Sequence, residues 1–138
     1  MKITNLTLIG IINTLEKFGE KKLPQKISYA ITRNLMCLSK EYQVYEKQLN
    51  KIFAEYTDHI VKDEHGNMKL NSNGIPIVDD SVSNEFGSQI SDLLNIEIQT
   101  DLFIIPFESF NYDDKGIYDA MSAQDIMLLK SILCNDEN

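Results

Sequence analysis

Residues 24–62 constrain this chain more than any other stretch. Ile31, Leu35, Leu38, Tyr42, Tyr45, Leu49, Ile52 and Tyr56 recur at alternating steps of four and three. That is the heptad rhythm by which helices pack lengthwise on one another. After Pro24 no Gly or Pro interrupts the stretch, so it reads as one helix over 24–62. At 1.5 Å per residue such a helix spans about 58 Å. A compact domain of 138 residues is only roughly 37 Å across. The helix must therefore break, project, or be covered by the rest of the chain or by another protein. Tyr42, Tyr45 and Tyr56 carry hydroxyls that want partners or water when packed, which favours a mixed surface over a dry two-stranded coiled coil.

A shorter helix precedes it. Leu8, Ile11, Ile12, Leu15 and Phe18 share one face over 5–18, with Thr4 or Asn5 placed to cap its start. Gly19 stands where a left-handed cap would end it, and Lys17 faces the negative end of the helix dipole. Pro24 suits the first turn of the next helix, where its missing N–H costs nothing. Two helices joined by so short a linker fold back as an antiparallel hairpin, so 1–62 is expected to be a helical hairpin.

After Lys62 the pattern changes. Gly66 and Gly74 are eight residues apart, each followed by alternating apolar residues, with Leu70 and Val78 in equivalent places. This predicts a small β-hairpin or flap over 63–80, its arms joined by Asn71-Ser72-Asn73-Gly74, with Pro76 in a peripheral arm or a loop. Asp79-Asp80-Ser81 is placed to cap a helix over 82–95 that buries Phe86, Ile90, Leu93 and Leu94. Residues 96–105 alternate as a strand ended by Pro106, and 108–116 read as loop. A last helix opens at Ser122 with Asp125 three residues on, a capping box, and buries Ile126, Leu129, Ile132 and Leu133. A frayed tail follows from Asn135. The expected fold is α+β and mainly α: one domain over 1–138, made of the helical hairpin, the flap and an acidic helix–strand–helix portion over 81–138.

Charge is divided between the halves. Residues 1–62 hold ten Lys/Arg against six Asp/Glu, a balance of +4; residues 63–138 hold three against fifteen, −12, which together make the net charge of −8. An acidic half argues against direct nucleic-acid binding, which needs clustered positive charge. It suits a basic protein surface, though solubility alone also accounts for it. The run Leu8-Ile9-Gly10-Ile11-Ile12 is far shorter than the ~20 residues of a membrane span. Asn5, Thr7 and Asn13 break any signal-peptide pattern. Cys37 and Cys134 form no CxxC and read as buried free thiols.

Enzyme signatures such as GxSxG, HExxH and a phosphate-binding glycine loop are missing, and no enzyme activity is expected. Asp58, His59, Asp63, Glu64 and His65 cluster near the predicted helix end, where polar residues belong in any case. Residues 111–116 echo a calcium loop, but Lys115 and Ser122 replace two required oxygen ligands. No cofactor and no metal are expected. Lys40, Lys47 and Lys51 share the side of the long helix away from the seam, a modest anion-facing stripe or a solvated face.

The segments Lys2-Ile3-Thr4-Asn5-Leu6 and Leu23-Pro24-Gln25-Lys26-Ile27-Ser28-Tyr29-Ala30-Ile31-Thr32-Arg33-Asn34 resemble a family of small phage and prophage proteins of Gram-positive bacteria. That family is known as a domain of unknown function. The likeness continues through the long helix, the Gly/Asn-rich turn, Leu93-Leu94-Asn95-Ile96-Glu97-Ile98 and the closing helix. It implies a phage origin and transfers no active site. The leading expectation is a non-catalytic protein-interaction module acting as an accessory of phage particle assembly. The alternative is an anti-defence or host-takeover inhibitor that binds a bacterial immune protein. The expected partner is a phage structural protein or a host defence protein, or a second copy of the chain, with neither nucleic acid nor membrane. The expected location is the cytoplasm of the infected host, or the virion. The candidate partner-binding residues are Tyr42, Tyr45, Leu49, Ile52 and Tyr56 on the seam, and Asp79, Asp80, Asp113 and Asp114 in the acidic half.

Overall fold

The computed structural model describes residues 1–113 and 115–135. It is α+β and mainly α, in the order β1 (Lys2–Thr4), α1 (Asn5–Gly19), α2 (Gln25–Glu55), α3 (Ser83–Leu94), β2 (Glu97–Gln99) and α4 (Ala123–Leu133), with 3-10 turns at Thr57–His59 and Phe107–Phe110. The Thr4 hydroxyl caps α1 by accepting the Thr7 N–H at 3.2 Å. At the other end Gly19 is not left-handed. The helix runs through it and tightens instead, with the Lys21 N–H bonding the Phe18 carbonyl at 3.2 Å. Pro24 stands one residue before α2, and its carbonyl accepts the Ile27 and Ser28 N–H groups at 3.0 Å.

The long helix ends seven residues short of the expected Lys62. The seam itself stops at Tyr56, and beyond it local bonding takes over. The Thr57 hydroxyl donates back to the Phe53 and Ala54 carbonyls at 3.4 and 3.1 Å. Ile60 and Lys62 then leave for extended pairing with Val78 and Met68. A helix of 31 residues is still about 46 Å long, and its seam is covered in cis. Ile27, Ala30, Ile31 and Leu38 meet Leu8, Leu15 and Phe18 of α1 together with Leu129 and Leu133 of α4 in one core. Tyr56, with Leu49, Ile52 and Phe53, meets Val78, Phe86 and Ile90 in a second core. The acidic half is what covers the far end of the helix.

The flap holds the expected turn and one arm more. Val61, Lys69 and Ile77 are eight residues apart and close a ring of backbone bonds: Val61 N–H to Ile77 O at 2.8 Å, Ile77 N–H to Lys69 O and Lys69 N–H to Val61 O at 2.9 Å. Asp63, Asn71 and Asp79 head the three turns, also eight apart. Each side-chain oxygen accepts the N–H two residues on, from His65, Asn73 and Ser81. Gly66 and Gly74 supply the positive φ, 79° and 77°. Asp79-Asp80-Ser81 therefore forms a turn and does not cap α3, which Val82 precedes without a side-chain cap.

The predicted strand over 96–105 forms a ladder with β1 at Glu97–Gln99, extended by the Asn5 N–H on the Ile96 carbonyl at 3.1 Å and the Thr100 N–H on the Met1 carbonyl at 2.9 Å. Further on, the buried Asn34 side chain stands in for a strand. Its amide donates to the Phe103 carbonyl at 3.0 Å and its oxygen accepts the Phe103 N–H at 2.7 Å. The loop expected over 108–116 begins as a 3-10 turn at Phe107–Phe110. Ser122 and Asp125 form the capping box of α4. Cys134 is buried as expected, but Cys37 is exposed on the outer side of α2. The expected fraying of the tail concerns Asn135 and residues outside those described.

Candidate functional site

Where the two cores meet along α2, a groove of about 540 Å³ stays open. Leu6, Ile9 and Asn13 of α1 form one wall and Tyr42, Tyr45, Leu49 and Phe53 of α2 the floor. Ser72-Asn73-Gly74-Ile75 of the flap and Leu94 at the end of α3 close it. Tyr42 packs on the first core, whereas Leu49, Phe53, Ile75 and Leu94 pack on the second. The groove is thus the gap left where two separately filled cores adjoin. A smaller depression of about 390 Å³, lined by Ile12, Glu16, Leu35, Met36 and Ser39, continues along the α1–α2 crevice and shares Asn13 and Tyr42 with it.

None of the groove's lining residues is Asp, Glu, Lys, Arg or His. The Tyr45 phenol is held above its ordinary pKa, first by burial and then by Tyr42 beside it, at a ring separation of 5.7 Å. Its hydroxyl stays neutral through the physiological range. Such a surface offers apolar contact area, aromatic faces and amide or hydroxyl hydrogen bonds at its rim.

The candidate seam residues divide between this groove and the second core. Tyr42, Tyr45 and Leu49 line the groove. Tyr56 is buried below α3 with its ring T-shaped on Phe86 at 5.1 Å. Its hydroxyl donates to Glu85 at 3.0 Å and accepts from Gln89 at 2.8 Å. Ile52 packs in the same core. Asp79 lies at the flap's base, 3.0 Å from His59 Nδ1, and Asp80 beside it is exposed. The Ser81 hydroxyl bonded to Asp79, and then His59, hold its carboxyl below the usual range. Asp113 is in the loop before α4, its carboxylate accepting the Lys115 N–H at 3.0 Å; Asp114 lies outside the described residues. Asp79, Asp80 and Asp113 are not among the residues that line the groove.

His65 and Asp63 meet in a turn through the His65 backbone, not its ring. Among the described residues no three His, Cys, Asp or Glu side chains converge as a metal ion would require. Lys40, Lys47 and Lys51 are exposed, on the side of α2 away from the groove that Tyr42 and Tyr45 line.

Sequence reasoning missed Leu6, Ile9, Asn13, Phe53, the 72–75 turn and Leu94. A signal was present for three of them. Leu6 and Ile9 are apolar but lie off the core face of α1, and Phe53 sits one residue beyond the seam position Ile52. The chain matches no protein-family model, no curated protein and no solved structure.

Proposed function

We propose that the chain is a non-catalytic protein-interaction module that seats uncharged, apolar side chains of a protein partner in the groove between α1, α2 and the flap. One observation carries this reading. In a chain that is 25% charged, the open crevice where the cores meet is lined without a single ionised group. Leu6, at 57% exposure, stands at its rim without being needed in either core. In the phage setting that the resemblance implies, the module is an accessory of particle assembly and the partner a structural protein. A second reading, a host-defence partner with a basic surface, is favoured by Asp80, Asp92, Glu97 and Glu108, which are exposed and join none of the ion pairs among the described residues. Among the described residues no helix is long and apolar enough to cross a membrane, and neither reading calls on one.

A photo-crosslinking amino acid at Asn73 tests the groove in lysates of a Gram-positive host with and without phage. The expected result is one dominant protein adduct that disappears when Leu6→Asp is added, while circular dichroism is unchanged. Adducts indifferent to Leu6→Asp would discard the groove as the docking site.

A further inference from the structure

The outward side of α2 repeats as regularly as its buried side. Lys26, Arg33, Lys40 and Lys47 fall seven residues apart and Lys51 follows one turn later. At 3.6 residues per turn all five share a stripe opposite Ile31, Leu38 and Tyr45, and all five are exposed. Tyr29, Met36 and Val44 interleave on the same stripe at 55%, 69% and 62% exposure. Glu41 and Glu46 lie on its flanks, so no acid intervenes between Lys26 and Lys51. Among the described residues none of these cations forms an ion pair. Lys47 and Lys51 are even a like-charged pair four apart, which opposes helix formation slightly. One cation is already positioned. The Arg33 guanidinium lies over the Phe103 ring at 4.7 Å and donates to the Tyr29 hydroxyl at 3.3 Å. Tyr29 in turn packs T-shaped on that ring at 5.5 Å.

A solvated face accounts for the lysines but not for Met36 and Val44 exposed between them, nor for the lack of a carboxylate on the stripe from Lys26 to Lys51. The spacing selects the partner. Seven residues of helix advance about 10.5 Å, the step at which a second helix lying lengthwise presents equivalent side chains. Phosphates on one strand of a duplex recur every ~3.4 Å of its axis, a step that a seven-residue helical repeat does not match. We propose that this stripe docks an acidic amphipathic helix of a partner protein, its carboxylates at seven-residue intervals facing Lys26, Arg33, Lys40 and Lys47. Apolar residues of the partner lie against Tyr29, Met36 and Val44. Nothing in this proposal depends on the groove.

The test is fluorescence anisotropy of the full chain with a labelled helical peptide of about four heptads, carrying Glu at every seventh position and Leu between. The comparison probes are a peptide of the same composition with the period broken, the Glu→Lys peptide, and a single-stranded DNA of about 30 nucleotides. The expected result is salt-sensitive binding of the heptad peptide alone. It should weaken about tenfold in Lys40→Glu/Lys47→Glu, whose exposed positions leave the circular dichroism unchanged, and persist in Leu6→Asp. Equal binding of the period-broken peptide, tighter binding of the DNA, or no binding of the heptad peptide would overturn it. So would a dimer seen by light scattering and abolished by the double variant, which would assign the stripe to a second copy.

Discussion

Asn34 is a polar residue near the middle of the first core, 1% exposed, and both halves of its amide are used on Phe103. Replacing it by Ala leaves the Phe103 N–H and C=O without partners, at about 1–3 kcal/mol each. Asn34→Ala should therefore cost about 2–5 kcal/mol, read as a lower urea midpoint; an unchanged midpoint would mean water replaces the amide without loss. Asp79 gives a pH dependence. Its folded pKa is depressed by the Ser81 hydrogen bond first and by His59 next. Folding thus favours the ionised form, and the stabilisation is complete above the unfolded carboxyl value of about 4. It is lost as pH falls through the lower folded value. Asp79→Asn should lower stability at neutral pH and reduce the loss of stability below about pH 4. Urea titrations across that range give the check.

Among the elements, α2 was legible because burial imposes a period on side chains, and the seam residues Ile31 to Tyr56 carry it. Its end was not legible. The absence of Gly and Pro permits a helix through Lys62, but Val61 bonds Ile77 and Lys69 while Ile60 and Lys62 bridge Val78 and Met68. The eight-residue spacing of Gly66 and Gly74 pointed to the flap's second turn but not to its three-way ring. Backbone donors and acceptors are alike at every residue and leave no compositional trace. The groove was half legible for a related reason. Tyr42, Tyr45 and Leu49 belong to a periodic face, whereas Ser72, Asn73 and Leu94 reach it only through tertiary folding. A substitution isolates the turn's own contribution. Gly66 has φ 79° with nothing within 4 Å of an added Cβ, so Gly66→Ala should cost about 1–2 kcal/mol, all of it backbone strain. Thermal unfolding measures it, and a negligible shift would show that the turn relaxes.

For the whole molecule, the decisive arrangement is two cores strung along one helix. Phe86 belongs only to the second, so Phe86→Ala, at about 3–5 kcal/mol, should loosen α3, the flap and the last turns of α2 before the rest. Hydrogen exchange would then show early exposure over residues 49–94, while α1 and the first turns of α2 stay protected. Uniform loss of protection would mean that the cores melt as one unit. The same arrangement explains how a helix longer than the expected globule avoids projecting: each core packs along the seam of one half, and the groove is the space between the cores. The ring at Val61, Lys69 and Ile77 has a separate consequence. Each arm donates to one neighbour and accepts from the other, so at this level of the flap no strand margin is left open to recruit a foreign strand. A segment rich in exposed extended backbone is thereby closed to the self-templated pairing from which fibrils grow.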